Sequence, residues 1–410
     1  MSEILLINIR GEDRHGLLTD WSELMSSLGV VILDLSQSII HDSLNLGFLV
    51  SVETESKKDD LKIELKDRAK AMGLTAKFTD ISDERYNQWA EEDEQDRSVI
   101  TVLTHKLSAH KLHLVTKIIN EQNYNVENIR RLSVKAPYDS NDKSSRFCFE
   151  LGVRGSGQMD LEMKEKFLEL SSKQNIDIAF QKDDIYRRNR RLVVFDMDST
   201  LLKIEVIDEL ARTLGVVDQV SKITEEAMNG GLDFDESLRA RVRLLKGMPE
   251  SVIQNIINDL PLMDGAERLI RTLKSLGYKV AVLSGGFINF VEALKSKLGV
   301  DYGYANRLEF KEGVATGEVL GEIINGEKKL HYMKKIAKDE GLEMNQVIAV
   351  GDGANDLPML GAAGLGIAFR AKPLVKASAD HSLTTLGLDG VLYLLGIRDA
   401  ELEPHHEQQV

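Results

Sequence analysis

Cysteine is almost absent from this chain of 410 residues. Cys148 is the one instance, so no intramolecular disulfide can form, and a reducing, cytoplasmic setting is the expectation. It lies in the strand-like run FCFEL and reads as a small core residue. Also lacking is any apolar run near the ~20 residues that span a bilayer. The start, MSEILLINIRGEDR, has no basic segment leading into an apolar one, as a secretory leader would. No membrane partner is expected. Basic charge is in deficit, with 52 Lys and Arg against 66 Asp and Glu and a net charge of −14. That balance argues against general affinity for nucleic acid or anionic lipid and favours small cations.

What the chain does have is organised around VVFDMDSTLL, residues 193–202. Leu192 to Phe195 is a short apolar run rich in β-branched and aromatic residues, the pattern of a strand buried on both faces. It stops abruptly at Asp196, Met197 and Asp198. Two carboxylates two residues apart, at the C-terminal end of a buried parallel strand, lie where open α/β sheets bind their ligands.

Before that stretch the pattern is βαββαβ, and it appears twice. Strand runs at Ile4 to Arg10, Val30 to Ser36, Leu46 to Val52 and Thr75 to Thr79 frame two helical stretches, the first stopped by Gly29. After the acidic run DERYNQWAEEDEQDR, the same order recurs from Ser98 to Gln181. We expect small domains at residues 1–83 and 98–184, joined by a solvated acidic linker or helix at 84–97. YRRNRR, within 185–191, reads as a solvated basic hinge. Beyond Asp198 helical patterns run over about 204–262, an insertion placed to cover the end of the first strand. Strand and helix then alternate to Phe369, which implies βαβ units on a parallel sheet within 192–398. A tail occupies 399–410, and its EPHHEQQV stretch is expected to be disordered, with no function assigned to it.

Three sheet strands end in polar, glycine-bearing loops: DMDST, SGG at Ser284 to Gly286, and GDGAND at Gly351 to Asp356. In a doubly wound sheet these ends converge, gathering Asp196, Asp198, Asp352 and Asp356 in one crevice. So many carboxylates repel unless a cation sits among them, and oxygen ligands without a His or Cys cluster favour Mg²⁺ over Zn²⁺. Ser284 with the backbone N–H groups of Gly285 and Gly286 is expected to open a helix and bind an anion. Lys329 could neutralise charge on transferring phosphoryl oxygens. Asp196 is then the candidate nucleophile, and Asp198 the group that protonates the leaving oxygen and later activates water. Acidic loops at strand ends also arise as helix caps. The three motif loops in order, with a lysine between the last two, point instead to phosphoryl transfer.

FDMDST, the VLSGG strand end, Lys329 and VGDGAND resemble the four motifs of the haloacid dehalogenase superfamily of phosphohydrolases. The likeness continues through ITEEAMNGGLDFDESLRARVRLLKG, YANRLEF and GDGANDLPML and covers Leu192 to Arg398. It implies a Rossmann-like parallel sheet with a helical cap, and hydrolysis of O-phospho-L-serine to L-serine and phosphate, the last step of L-serine biosynthesis. It further implies that Mg²⁺ is held by Asp196, the backbone carbonyl of Asp198, and Asp352, with Asp356 in support. Ser284, Gly285 and Lys329 would hold the phosphate, Asn355 would also contact the ligand, and Glu205, Met228, Phe234 and Arg241 would form the substrate pocket of the cap. Physically, a phosphoamino acid needs one anion and one cation away from the metal, and Glu205 and Arg241 supply them.

The duplicated N-terminal module resembles the ACT domain, a ferredoxin-like βαββαβ fold. Gly11 to Leu18 (GEDRHGLL) looks like its amino-acid-binding loop, which implies L-serine as an effector and a homodimer paired through sheet edges. The second copy has THKLSAHKLHL there and lacks the glycines. Its His105, His110 and His113 read as solvated. Two alternatives stand beside the main reading. One is the same mechanism on another small phosphomonoester, such as phosphothreonine or homoserine phosphate. The other is a receiver-like or amino-acid-sensing regulatory protein phosphorylated at Asp196.

Overall fold

The computed structural model describes residues 3–92, 97–135, 145–155, 161–228 and 231–402. The chain folds as two compact units, Met1–Gln95 and Asp96–Val410. Among the described residues no helix is long and apolar enough to cross a membrane.

The first unit runs β1 (Glu3–Glu12), α1 (Leu17–Ser27), β2 (Val31–Ile40), β3 (Ser43–Val52), α2 (Glu55–Ala71), β4 (Thr75–Ile81) and α3 (Asp83–Glu92). Its four strands are antiparallel, in the order β2-β3-β1-β4. Strand alternation puts Leu5, Ile7 and Ile9 on one face with Leu46, Phe48 and Val50, and there they bury against Trp21 of α1 and Leu61 and Leu65 of α2. Helix α2 is opened by Thr54, whose side chain accepts the Lys57 N–H. The acidic run forms α3 as far as Glu92, and residues 93–96 lie outside the described ones.

The second unit opens with β5 (Arg97–Thr104), α4 (Ala109–Glu121), β6 (Asn125–Arg131), β7 (Phe147–Arg154), α5 (Leu161–Gln174) and β8 (Asp177–Lys182). Its sheet order, β6-β7-β5-β8, repeats that of the first module strand for strand. The likeness between the copies therefore lies in topology. One face differs. Ile100 and Val102 of β5 pack under the helices α4 and α5, whereas Leu103, Cys148 and Ala179 join the core of the large domain that follows. With both faces covered, β5 is buried without a break from Ser98 to Thr104, and Cys148 is a fully buried core residue. His105, His110 and His113 are exposed.

The large domain comprises β9 (Leu192–Phe195), α6 (Val206–Leu214), α7 (Val217–Met228), α8 (Phe234–Arg243), α9 (Ser251–Asn258), α10 (Ala266–Ser275), β10 (Lys279–Phe287), α11 (Ile288–Leu298), β11 (Tyr302–Lys311), β12 (Val314–Leu320), α12 (Gly326–Asp339), β13 (Val347–Gly351), α13 (Leu357–Ala362), β14 (Leu365–Phe369), α14 (Pro373–Ser378), β15 (His381–Leu383) and α15 (Val391–Leu394). The sheet order is β12-β11-β10-β9-β13-β14-β15. Every pairing is parallel except β11 with β12, so the expected hairpin is present and its first strand also extends the main sheet. Helices α6 to α9 form the cap. β9 sits centrally, buried along its whole length.

Segment 185–191 departs from the expectation of a solvated hinge. Arg187 and Arg190 are each only 5% exposed. Arg187 pairs with the buried Glu150 of β7. Arg190 donates to Gln181 Oε1 at 3.1 Å and to the Gly364 carbonyl at 3.3 Å. The reason is positional: the segment threads between the second small sheet and the parallel sheet, and a guanidinium has enough donors to satisfy several acceptors there. His381 Nε2 bonds the Phe180 carbonyl across the same junction, 2.9 Å away. Asp399 is also held, by Tyr393, Arg268 and the Val134 N–H. The EPHHEQQV tail lies outside the described residues.

Removing one partner of a buried ion pair strands the other charge, at a cost of ~3–5 kcal/mol, whereas a solvated arginine costs little. Arg187→Met is therefore expected to destabilise the chain by about 3 kcal/mol in urea unfolding, and Arg187→Met with Glu150→Met by clearly less. An Arg187→Met chain as stable as the parent would return the segment to the surface.

Candidate active site

The site lies at the C-terminal rim of the sheet, under the cap. Asp196 N–H donates to the Val350 carbonyl at 2.9 Å, extending the β9–β13 ladder by one residue. The chain then turns sharply: Leu201 and Leu202 N–H groups both reach the Met197 carbonyl, and Ser199 takes a left-handed φ of 56°. The turn brings Asp198 back over the rim. Its Oδ1 accepts the Val206 N–H of α6 at 2.8 Å, and its Oδ2 accepts the Ser284 hydroxyl at 3.3 Å. Asp198 thus ties the sheet to the first cap helix.

Lys329 comes from the first turn of α12, which Asn325 caps by accepting the Lys328 N–H. It is wholly buried. Its Nζ lies 2.7 Å from Asp196 Oδ1 and 2.7 Å from Asp356 Oδ1. Asp356 also accepts the Gly353 N–H, and Asp352 accepts the Thr200 hydroxyl at 3.3 Å. Carboxylate oxygens of Asp196, Asp352 and Asp356 lie within 4.8 Å of one another.

This cluster carries more negative than positive charge. Burial, reinforced by the carboxylate of Asp356, raises the Asp196 carboxyl well above its usual range, against the pull of Lys329. Burial pushes Asp198 up to about 7, with Glu205 adding to it. Asp352 is likewise pushed up to about 7, by burial and then by Asp356 and Glu205. An all-oxygen donor set with surplus negative charge and, among the described residues, no thiolate or imidazole in the cluster suits a hard divalent cation.

A cavity of about 750 Å³ opens onto the cluster. Asp196, Asp198, Gly285, Asp352 and Asn355 line its floor, and Glu205, Phe234 and Arg241 line it from the cap. Ser284, Lys329 and Asp356 stand just behind this lining, wholly buried. Met228 ends α7, and its side chain lies outside the described residues. Glu205 accepts the Ser199 hydroxyl at 2.7 Å, and Arg241 Nε donates to the Ser237 carbonyl. The SGG stretch differs from the expected helix opening: β10 continues through Phe287 and α11 begins at Ile288. The Gly286 N–H is turned onto Ser284 Oγ at 2.8 Å. A side chain on Gly285 would come within 2.7 Å of the Phe234 ring, and one on Gly286 within 2.6 Å of Asp198 Oδ2, so Gly285 is required where the cap approaches the core and Gly286 where the β10 loop approaches Asp198.

Ser199, Thr200 and Asn325 also serve the site and were not singled out from the sequence. The first two stood inside the DMDST motif. Asn325 carried only the signal of a helix N-cap, and its Nδ2 donates to Asp235 Oδ1 of the cap at 3.0 Å.

Lys329→Met should leave two buried carboxylates without a counter-charge and cost ~3–5 kcal/mol in urea unfolding at pH 7.5 without divalent cations. The Asp196 carboxyl, already raised by burial and no longer pulled down by Lys329, would then be raised further, a contribution that is present at low pH and lost as pH rises. The deficit should therefore shrink toward pH 5.5, and a pH-independent deficit would contradict the charge argument.

Comparison with known proteins places this geometry. The haloacid dehalogenase-like hydrolase profile matches residues 190–364, and the ACT domain profile matches residues 3–79. A phosphoserine phosphatase of Streptomyces coelicolor is 38% identical over 400 residues, covering 97% of this chain and 93% of the relative. One from Mycobacterium tuberculosis is 36% identical over 97% of this chain and 94% of its own. The solved structure of a probable phosphoserine phosphatase from Vibrio cholerae, in unliganded form, superposes with a TM-score of 0.58 at 33% identity, covering 76% of this chain and 88% of that one.

Proposed function

The chain belongs to the phosphoserine phosphatase family of haloacid dehalogenase-like hydrolases, with ACT-type modules ahead of the catalytic domain, and from this premise we propose that it hydrolyses O-phospho-L-serine through an aspartyl phosphate on Asp196, with Mg²⁺. The observation that carries the reading is the buried Lys329 ammonium held against Asp196 beneath a cavity that Glu205 and Arg241 also line.

In the first half-reaction a carboxylate oxygen of Asp196 attacks phosphorus, and the bond from phosphorus to the seryl oxygen breaks. Asp198, as the carboxylic acid, gives its proton to that oxygen, and L-serine leaves. In the second, the Asp198 carboxylate takes a proton from water, whose oxygen attacks phosphorus. The phosphorus–Asp196 bond breaks and inorganic phosphate is released. Asp196, Asp352 and the Asp198 carbonyl would hold Mg²⁺, with Asp356 in support. When bound, it supplies charge neutralisation for the phosphoryl oxygens. Ser284, Gly285, Asn355 and Lys329 hold the phosphate. Arg241 grips the substrate carboxylate, Glu205 takes the ammonium, and Phe234 keeps bulk water from the pocket. The reaction serves as the last step of L-serine formation in the cytoplasm.

L-Serine as an effector fits the loop between β1 and α1, where Gly16 takes a φ of 90° before the helix starts. A homodimer fits the bare edge of the first sheet. β2 is its outermost strand, and Ile32, Leu35 and Ile39 remain exposed on its helix side. An exposed apolar edge strand invites pairing, and a second copy of β2 offers the same surface.

Phosphate release from O-phospho-L-serine, with and without Mg²⁺ and across an L-serine titration, tests the activity. Release should require the cation and vanish in Asp196→Asn, and substantial residual turnover in that variant would remove Asp196 from its role. Sedimentation tests the assembly: the parent should run as a dimer and Leu35→Lys with Ile39→Lys as a monomer, whereas a monomeric parent would dismiss the pairing.

A further inference from the structure

Strand β10 departs from its neighbour at the phosphate-contacting loop. Leu283 stands opposite Tyr304 and Phe287 opposite Asn306, so Ser284, Gly285 and Gly286 face Ala305 alone. A bulge of this size takes backbone groups out of the ladder, and buried groups so displaced need other partners. Asn306, 1% exposed, supplies one. Its Nδ2 donates to the Gly285 carbonyl at 2.8 Å. Its Oδ1 accepts the Ile324 N–H, also at 2.8 Å.

Each of those backbone groups leads directly into the site. The Gly285–Gly286 peptide is held at its carbonyl by Asn306 and at its N–H by Ser284 Oγ, which fixes the plane of the bulge. Ile324 precedes Asn325, the cap of the helix that carries Lys329. A single planar amide therefore spans the bulge and the start of α12. Only a side chain with a donor on one branch and an acceptor on the other meets both partners at once. Aspartate offers acceptors to both and would repel the Gly285 carbonyl.

We propose that Asn306 is a positioning residue for phosphoryl transfer: it sets the separation between the Ser284–Gly285 loop and the Lys329 ammonium, so that both meet the same phosphoryl group. The proposal rests on the phosphatase reading above. Misplacement by about 1 Å is enough to lower a rate ~10²-fold. Because the effect falls on charge that develops during transfer, it should appear in kcat more than in KM.

The test uses the full chain with Mg²⁺, comparing parent, Asn306→Asp and Asn306→Ser on O-phospho-L-serine from pH 5.5 to 8, each well below its melting temperature. Both variants should lose about 10²-fold in kcat, with KM within ~3-fold of the parent. The ratio of Asn306→Asp to parent should rise as pH falls, since a protonated carboxyl regains one donor for the Gly285 carbonyl. For Asn306→Ser the ratio should stay flat. Where Asn306→Asp does not fold, the serine variant decides through its split between kcat and KM. A folded variant with kcat within ~3-fold of the parent would overturn the proposal. A loss matching the unfolded fraction would also overturn it, by leaving Asn306 a purely structural role. A parent inactive on phosphomonoesters would fail the phosphatase reading itself, before any variant is compared.

Discussion

The catalytic domain is built on a buried ammonium between two buried carboxylates. Lys329 sits 2.7 Å from both Asp196 and Asp356 with no access to water. Three such charges are costly to desolvate and tolerable only in close, hydrogen-bonded contact, so the elements that deliver them have little freedom. β9 must end at Asp196, α12 must start with its first turn under the rim, and the loop after β13 must fold back so that Gly353 satisfies Asp356. One positive charge does not balance the carboxylates gathered there, and that imbalance fits the cluster to a cation and a phosphate together.

The cap is bound to this arrangement through polar contacts of a few groups. Asp198 accepts from the start of α6, Ser199 donates to Glu205, and Asn325 reaches Asp235. Each contact joins the turn after β9, or the cap of the helix carrying Lys329, to a residue on or next to a cap helix. Gly285 permits the closeness of the cap, and Gly286 that of the β10 loop to Asp198, since any larger residue there would strike Phe234 or Asp198. The pocket that reads the amino-acid end and the floor that holds the phosphate are therefore positioned by the same short segments.

The second small module is a structural part of this catalytic unit. Its sheet contributes Leu103, Cys148 and Ala179 to the large core, and buried arginines in the connecting segment bind both sides. The first module keeps one sheet face mostly polar, with Asn8, Arg10, Asn45, Ser36 and Ser38 on it, and its edge strand β2 is open. Two copies of one topology thus have different surroundings, and the residues on their sheet faces differ accordingly.

Much was legible in the order of residues. The alternation of strands and helices, the repeated βαββαβ pattern and the helical insertion after β9 follow from periodicity, because a face that is buried must be apolar at the spacing of its element. The motif loops were also legible, since reactive groups cluster at strand ends and leave polar, glycine-bearing signatures. What only the tertiary structure decided concerns groups whose partners are distant in the chain. Arg187 and Arg190 look like any basic linker until Glu150 and Gly364 are brought beside them. Asn306 looks like any strand residue until a bulge 21 residues earlier leaves a carbonyl for it to bind, and the SGG loop reads as a helix start until β10 is seen to run past it. Local patterns report how a segment buries its own faces. A hydrogen bond or ion pair across the core depends on where two segments meet, and that placement is set by the packing of the whole domain.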